Sequence, residues 1–288
     1  MCQIKLDLNM KVRVYGFPHS PWVQAVLFAL CEKNIEYKLD TCPPLSVFKK
    51  WGVYMPAVSF DEGPWEIEST EIIAKLGFES ISNEALRAAN KSWQGVLHRT
   101  DNPLKFFSAF SNGGQTSKSF LSDAKSNLIL SFVAFYMFLL ISIGKFRLNQ
   151  KEPENFGDQF IYWENILKSS QGSFIEGEKP GVRDFVIFGI VQCHSSIPVP
   201  ALESILNDKR LHSFRTWIYE MQERYKDFTY LYSTKYFEYE ETKITSAGLN
   251  QKIFFFFGLI LLFLLFPLSA VAVLLLMAKV EKNRIKKF

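Results

Sequence analysis

The sequence predicts an α/β domain, then an all-helical domain, then one membrane-spanning helix. Three observations carry this. The first 78 residues read strand–helix–strand and then strand–strand–helix, Glu84 to about Tyr232 reads helical throughout, and Ile253 to Ala278 contains no charged side chain. The expected organisation is an extension (1–10), an α/β domain (11–78), a helical domain (84–232), a linker (233–252), a transmembrane helix (253–278) and a basic tail (279–288).

Each element has a local cause. Lys11 to Gly16 forms the first strand, and Ser20-Pro21 opens a helix to Asn34, because proline at the first helical position lacks an N–H that the helix does not use. A strand (Glu36 to Asp40), a short helix (Leu45 to Lys50), a hairpin (Ala57 to Phe60, Trp65 to Glu68) and a helix (Ser69 to Leu76) follow. The second domain is expected to hold helices over Glu84 to His98, Ser117 to Phe146, Phe156 to Ser169, Asp184 to His194 and Ser204 to Tyr225. Breaks fall at Asn112-Gly113-Gly114, Gly172, Lys179-Pro180-Gly181 and Pro198-Val199-Pro200. Asp184 is expected to close a capping box with Gly181, a folding role. Leu128 to Ile143 is uncharged but shorter than the ~18 residues of a span, so it reads as a core helix of the second domain, with lining of a pocket for an apolar electrophile, docking on the bilayer and insertion as a second span as the alternatives.

Ser20, Met55-Pro56 and Glu68-Ser69 are the candidate site residues. A helix starting at Pro21 presents free N–H groups and the positive end of its dipole beside Ser20, and a serine hydroxyl can donate one more hydrogen bond to an anion there. One bond to a charged group, worth roughly 1.5–3 kcal/mol, is enough to carry a thiol of pKa about 8.5 across neutrality. Ser69 can cap the helix it opens, and its N–H groups face an incoming carboxylate. Taken singly, each motif is also ordinary capping or turn chemistry; their joint order is the informative part.

The stretches V-Y-G-F-P-H-S-P-W-V-Q-A-V-L-F-A-L-C-E-K-N-I-E-Y and M-P-A-V-S-F-D-E-G-P-W-E-I-E-S-T-E-I-I-A-K-L resemble the amino-terminal domain of cytosolic glutathione S-transferases, in particular serine-type, tau-like and bacterial members. The resemblance covers Lys11 to Gly77 and extends weakly to about Tyr232. It implies a thioredoxin-like domain and a helical carboxy-terminal domain. It also implies glutathione as co-substrate, Ser20 as the group that activates its thiol, and Pro56 as a cis-proline whose neighbour Met55 reads the cysteinyl portion through its backbone. Glu68 would pair with the γ-glutamyl ammonium and Ser69 with its carboxylate. Tyr15 stands where tyrosine-type members carry their catalytic hydroxyl and is the alternative to Ser20. Glutaredoxin-like and omega-type relatives have cysteine at position 20, so disulfide chemistry at this turn is excluded. The implied partners are an apolar electrophile, the lipid bilayer and a second copy in a homodimer. A non-enzymatic membrane adaptor, as in metaxin-like proteins, and a membrane-inserting protein of the same fold are the alternatives.

The run from Ile253 to Ala278, bracketed by Lys252 and Lys279, exceeds the ~30 Å hydrocarbon core at ~1.5 Å per residue, and Pro267 offers a kink. A globular part facing the reducing cytoplasm and a short basic tail beyond the membrane are expected, although the positive-inside tendency opposes the second. The formal net charge of +4 owes much to that tail and argues for a membrane surface, not nucleic acid. Cys2, Cys31, Cys42 and Cys193 lack disulfide or metal spacing, and His19, His98, His194 and His212 form no zinc triad, so no metal is expected. His19 reads as a loop residue, and the amino terminus lacks an apolar core of signal-peptide length.

Overall fold

The computed structural model describes residues 10–94, 103–113, 119–148, 153–197, 199–237 and 247–283. Most of the expected extension, the end of the helix expected to reach His98, much of the linker and the last of the basic tail lie outside them.

Four strands, β1 (Val12–Tyr15), β2 (Tyr37–Asp40), β3 (Ala57–Phe60) and β4 (Glu66–Ile67), form one sheet in the order β2-β1-β3-β4. β2 runs parallel to β1, with Val12 opposite Tyr37, whereas β3 runs antiparallel, with Tyr15 opposite Ala57. Parallel neighbours need a crossover, and α1 (Pro21–Glu32) supplies it. α2 (Leu45–Trp51) and α3 (Ser69–Lys75) complete the expected βαβ–ββα, thioredoxin-like arrangement.

α1 is apolar on nearly every face because it is covered on two sides. The sheet takes one side and α8 (Val182–Ser196) the other, leaving Val23 and the run Ala25 to Leu30 without exposure. Phe28 anchors this contact among the rings of Phe188, Tyr225 and Phe228, at centroid distances of 4.7–5.0 Å. The polar exception, Gln24, donates to the carbonyls of Pro18 at 2.8 Å and Tyr230 at 3.2 Å, so it ties the turn before the helix to the far end of the second domain.

The second domain comprises α4 (Asn83–Trp93), α5 (Pro103–Asn112), α6 (Phe120–Leu148), α7 (Ile161–Ser169), α8, α9 (Pro200–Asn207) and α10 (His212–Arg224). Two buried carboxylates organise it. Asp184 accepts from the N–H groups of Ile175, Glu176 and Gly181 and from Trp217 Nε1 at 2.8–3.1 Å, which is the expected capping role extended to a whole loop. Burial pushes its pKa up to about 6 against those four donors. Glu164 accepts from the N–H groups of Ser213 and Phe214 at the start of α10, and so caps that helix from another element.

Three helical expectations need correction. The helix placed over Phe156 to Ser169 is a 3-10 turn (Phe156–Gln159) followed by α7. The helix placed over Ser204 to Tyr225 is α9 and α10, separated where Asp208 binds the N–H and guanidinium of Arg210; neither glycine nor proline marks that break. α5 was not expected at all.

The carboxy-terminal apolar run also departs from a single straight helix. It forms α11 (Leu249–Leu264) and α12 (Phe266–Asn283), bent by 88° at a break where Pro267 enters the first turn of α12. α11 lies on α5 and α6, burying Phe255 fully, and α12 touches α2. A second small core, of Phe106, Phe110, Leu130, Ala134, Phe255 and Leu259 among others, joins α5, α6 and α11. By length and composition the single unbent helix able to cross a membrane among the described residues is the Phe120–Ile143 part of α6, and each of the bent pairs α8–α9 and α11–α12 qualifies only if its two helices are counted as one span.

Candidate functional site

Ser20 is the N-cap of α1, in extended backbone, and its hydroxyl makes no capping bond. The helical ladder opens with Gln24 N–H donating to Ser20 C=O at 3.0 Å. Pro21 has no N–H, so Trp22 and Val23 are the first turn's donors. The turn is held from behind by packing. A Cβ on Gly189 of α8 would overlap the carbonyl oxygen of Pro21, so only glycine allows the two helices this approach.

Met55 and Pro56 are joined by a cis peptide bond, as the resemblance implies. The β1–β3 ladder stops at the Tyr15–Ala57 pair, which leaves Met55 beyond the sheet, and its sulfur accepts from Phe17 N–H at 3.4 Å. Ser20 and Met55 line one cavity of about 230 Å3 between the two domains. Phe17, Trp22 and the ring of His19 form its near wall. Trp93 of α4, Phe110 of α5, Leu130, Val133 and Met137 of α6, Cys193 of α8 and Ile197 just after it form the far wall. The lining is almost wholly apolar.

Glu68 and Ser69 are not in this cavity lining. Glu68 is the N-cap of α3 at φ 74°, a region that costs a non-glycine residue, and Tyr54 Oη donates to its carboxylate at 3.3–3.4 Å. The α3 ladder begins with Glu71 and Ile72 N–H on Glu68 C=O. Ser69, expected as a cap, is instead the first helical residue and is buried, and the helix N–H groups before Glu71 lie outside the ladder. The junction therefore offers donors and a carboxylate at a strained turn.

Tyr15 is placed otherwise. It is 1 % exposed, packs with Val47, Trp51 and Ala57, and donates from its hydroxyl to Val53 C=O at 3.4 Å. Burial, with a smaller contribution from Cys42, raises its pKa well above the ordinary value. It does not line the cavity.

His19 stacks on Tyr232 with ring centroids 5.1 Å apart, and its Nδ1 is buried without a hydrogen-bond partner among the described residues. Burial, then the charge of Lys235, lowers its pKa to about 4, so the ring is neutral near pH 7. The Cys193 thiol, pushed up to about 12 by burial, stays protonated. Among the described residues no group of three or more His, Cys, Asp or Glu side chains is placed to hold a metal ion.

Part of the far wall comes from Leu128 to Ile143, whose alternative reading is a pocket lining, whereas Trp93, Phe110, Cys193 and Ile197 escaped sequence reasoning. The wall's residues come from four helices, and the available signal was the i, i+3, i+7 spacing of Leu130, Val133 and Met137 inside an otherwise uniformly apolar stretch.

No family model and no curated protein matches the chain. Solved structures similar to it include a tau-class glutathione S-transferase from mango, Mangifera indica, with 15% identity, 73% of this chain and 88% of the other covered, and a TM-score of 0.40. An epsilon-class enzyme from the housefly, Musca domestica, has 15% identity, 75% and 90% coverage and a TM-score of 0.41. A glutathione transferase homologue from Drosophila mojavensis, solved with bound glutathione, has 13% identity, 78% and 94% coverage and a TM-score of 0.43.

Proposed function

We propose that this chain binds glutathione and activates its thiolate toward apolar electrophiles, and that its carboxy-terminal apolar segment holds it at a membrane. The observation that carries the reading is the meeting of Ser20 and Met55 in one cavity at the start of α1. A thiol brought there loses its proton to solvent. The resulting thiolate is stabilised by the helix N-terminus, worth about 0.3–1 kcal/mol, and by a donated hydrogen bond from Ser20, worth about 1.5–3 kcal/mol. An electrophile seated against Phe110, Leu130 and Met137 meets the sulfur there. A carbon–sulfur bond forms while the leaving group departs with its electron pair, or a multiple bond takes up the pair and then a proton.

Met55 would read the cysteinyl backbone, and Glu68 and Ser69 the γ-glutamyl end. Ser20 is preferred to Tyr15 because the tyrosine hydroxyl is directed to Val53, outside the cavity. Glutathione use and three cysteines without disulfide partners fit a globular part in the reducing cytoplasm.

The test is retention of the full chain, in detergent, on immobilised glutathione, with release by the free tripeptide. The full chain is needed because removing α11 would uncover the Phe255 contact with α6. Passage of folded protein through the column unretained overturns the assignment.

A further inference from the structure

The large hydrophobic side chains that are exposed among the described residues lie on α2 and the loop after it, α5, α6, α11, α12 and the break between the last two. α1, α3, α4 and α7 to α10 carry none. The elements that carry them touch in sequence: α5 packs on α6, both pack on α11, α11 continues into α12, and α12 packs on α2. The exposed residues therefore lie on one contiguous set of elements. On α11 and α12 they continue the uncharged run already assigned to the membrane, but Leu45 at 68 %, Leu104 at 84 % and Phe146 at 88 % lie outside that run.

The charge on this side is as uneven as the hydrophobicity. Among the residues whose side chains are described, α2, α5, α6 and α11 carry Lys49, Lys50, Lys105, Lys125 and Lys252 against a single acidic residue, Asp123. An apolar surface with a basic surplus matches the two layers of a bilayer, acyl chains and anionic headgroups. It does not match a second copy of itself, which would set the same basic residues against one another.

We infer that the whole face formed by α2, α5, α6, α11 and α12 rests on the lipid bilayer, so that the chain is a membrane-lying protein and not a globule on a tether. The inference rests on the membrane reading of the carboxy-terminal segment and extends it to the catalytic body. Its consequence for the site is direct. α6 carries Leu130, Val133 and Met137 on the cavity and Leu121 and Phe146 near its exposed ends, and α11 backs it at Leu128 and Ser131, so the cavity's far wall belongs to the same α6–α11 pair that meets the lipid. The electrophiles suited to such a site are those dissolved in the bilayer.

The experiment places the full chain in phosphatidylcholine–phosphatidylserine vesicles, with single cysteines carrying an environment-sensitive fluorophore in a background free of the natural cysteines. Sites are Leu45→Cys, Leu104→Cys and Phe146→Cys on the face, Leu274→Cys on α12, and Glu203→Cys on α9 as the solvent reference. Nitroxide-labelled lipid is the quencher. Quenching of Leu45, Leu104 and Phe146 to at least half that at Leu274, with Glu203 at background, is expected. Quenching confined to Leu274 overturns the face and leaves the segment's membrane reading standing, whereas no quenching at Leu274 overturns both. Lipid-independent shielding of Leu104 that grows with protein concentration would assign the face to a second copy and also overturn the proposal. Hydrogen exchange of the unsubstituted chain provides the control for folding, with vesicle-dependent protection expected in α2 and α5.

Discussion

Gly189 of α8 faces the carbonyl oxygen of Pro21 so closely that any Cβ there would overlap it. The contact is the point where the helical domain meets the turn that carries Ser20, and it fixes the start of α1 without a hydrogen bond. Gly189→Ala should cost about 1–3 kcal/mol, the range for overpacking a filled interface, even though alanine is the better helix former. Denaturant titration would show it as a lower midpoint. Stability equal to or above that of the parent would mean that the two helices part without cost.

Ser20 and Tyr15 are separable by spectroscopy. Ser20→Ala should raise the pKa of bound glutathione by one to two units, about 1.36 kcal/mol each, with little loss of affinity. Tyr15→Phe should leave that pKa in place and cost about 0.5–1.5 kcal/mol of stability, because its hydroxyl bonds to Val53 inside a packed cluster. Thiolate absorbance followed against pH reads both. A shift in Tyr15→Phe with none in Ser20→Ala would transfer the role.

Glu68 and Ser69 test the other end of the ligand. If they hold the γ-glutamyl group, Glu68→Ala with Ser69→Ala should weaken glutathione binding by about 2–4 kcal/mol while the apolar cavity stays intact. Calorimetry on the folded double variant decides it, and unchanged affinity would remove both residues from the site.

Acid should loosen the fold in a defined window. His194 has no exposure, and burial, opposed in part by the Trp93 backbone, lowers its pKa to about 4. The unfolded chain, with an ordinary histidine pKa near 6.5, therefore binds the proton first. The stability this neutral ring contributes is complete above pH 6.5 and is lost as pH falls toward 4, on the order of 1 kcal/mol per unit. Asp184 acts in the opposite sense. Its folded pKa near 6 lies above the unfolded one, so its contribution is lost as pH rises through 6. His194→Phe isolates the first effect. Its urea midpoint should fall less than the parent's between pH 6.5 and 4.5, and parallel profiles would show that His194 takes up its proton equally readily in the folded and unfolded chain.

The thioredoxin-like part was legible because its signals are local. Proline after Ser20, the Met55-Pro56 pair and alternating strands each act within a few residues of their cause. The Asp184 box was legible for the same reason. The break at Asp208 was not, since it depends on Arg210 meeting Asp208 and, across the fold, Asp158. α5 carried the Asn102-Pro103 start, the Phe106–Phe110 spacing of a helix and the Asn112-Gly113-Gly114 break after it, yet at ten residues its amphipathic pattern is short. Of the candidate site, Ser20 and Met55 were readable and come together in one cavity, whereas Trp93, Phe110 and Cys193 lie on that cavity only through tertiary packing. The bend at Leu265 had a readable cause in Pro267, but the docking of α11 on α6 is a matter of surface shape that periodicity does not carry.

That docking is the last testable point. A Cβ on Gly258 of α11 would overlap Ser131 Oγ of α6, while Leu130 and Val133, the residues beside Ser131, face the cavity. Small residues at such a contact let two apolar helices approach closely, the device used where lipid offers no hydrophobic driving force between helices. Gly258→Leu should therefore lift α11 from α6 and slacken the cavity's far wall together. Two measurements should move in step: faster hydrogen exchange over Leu128 to Ala134, and several-fold weaker binding of a small apolar ligand to the cavity. Faster exchange with unchanged ligand affinity would show that the wall stands without α11. No change in either would mean that the helices are already apart when the protein is in its membrane.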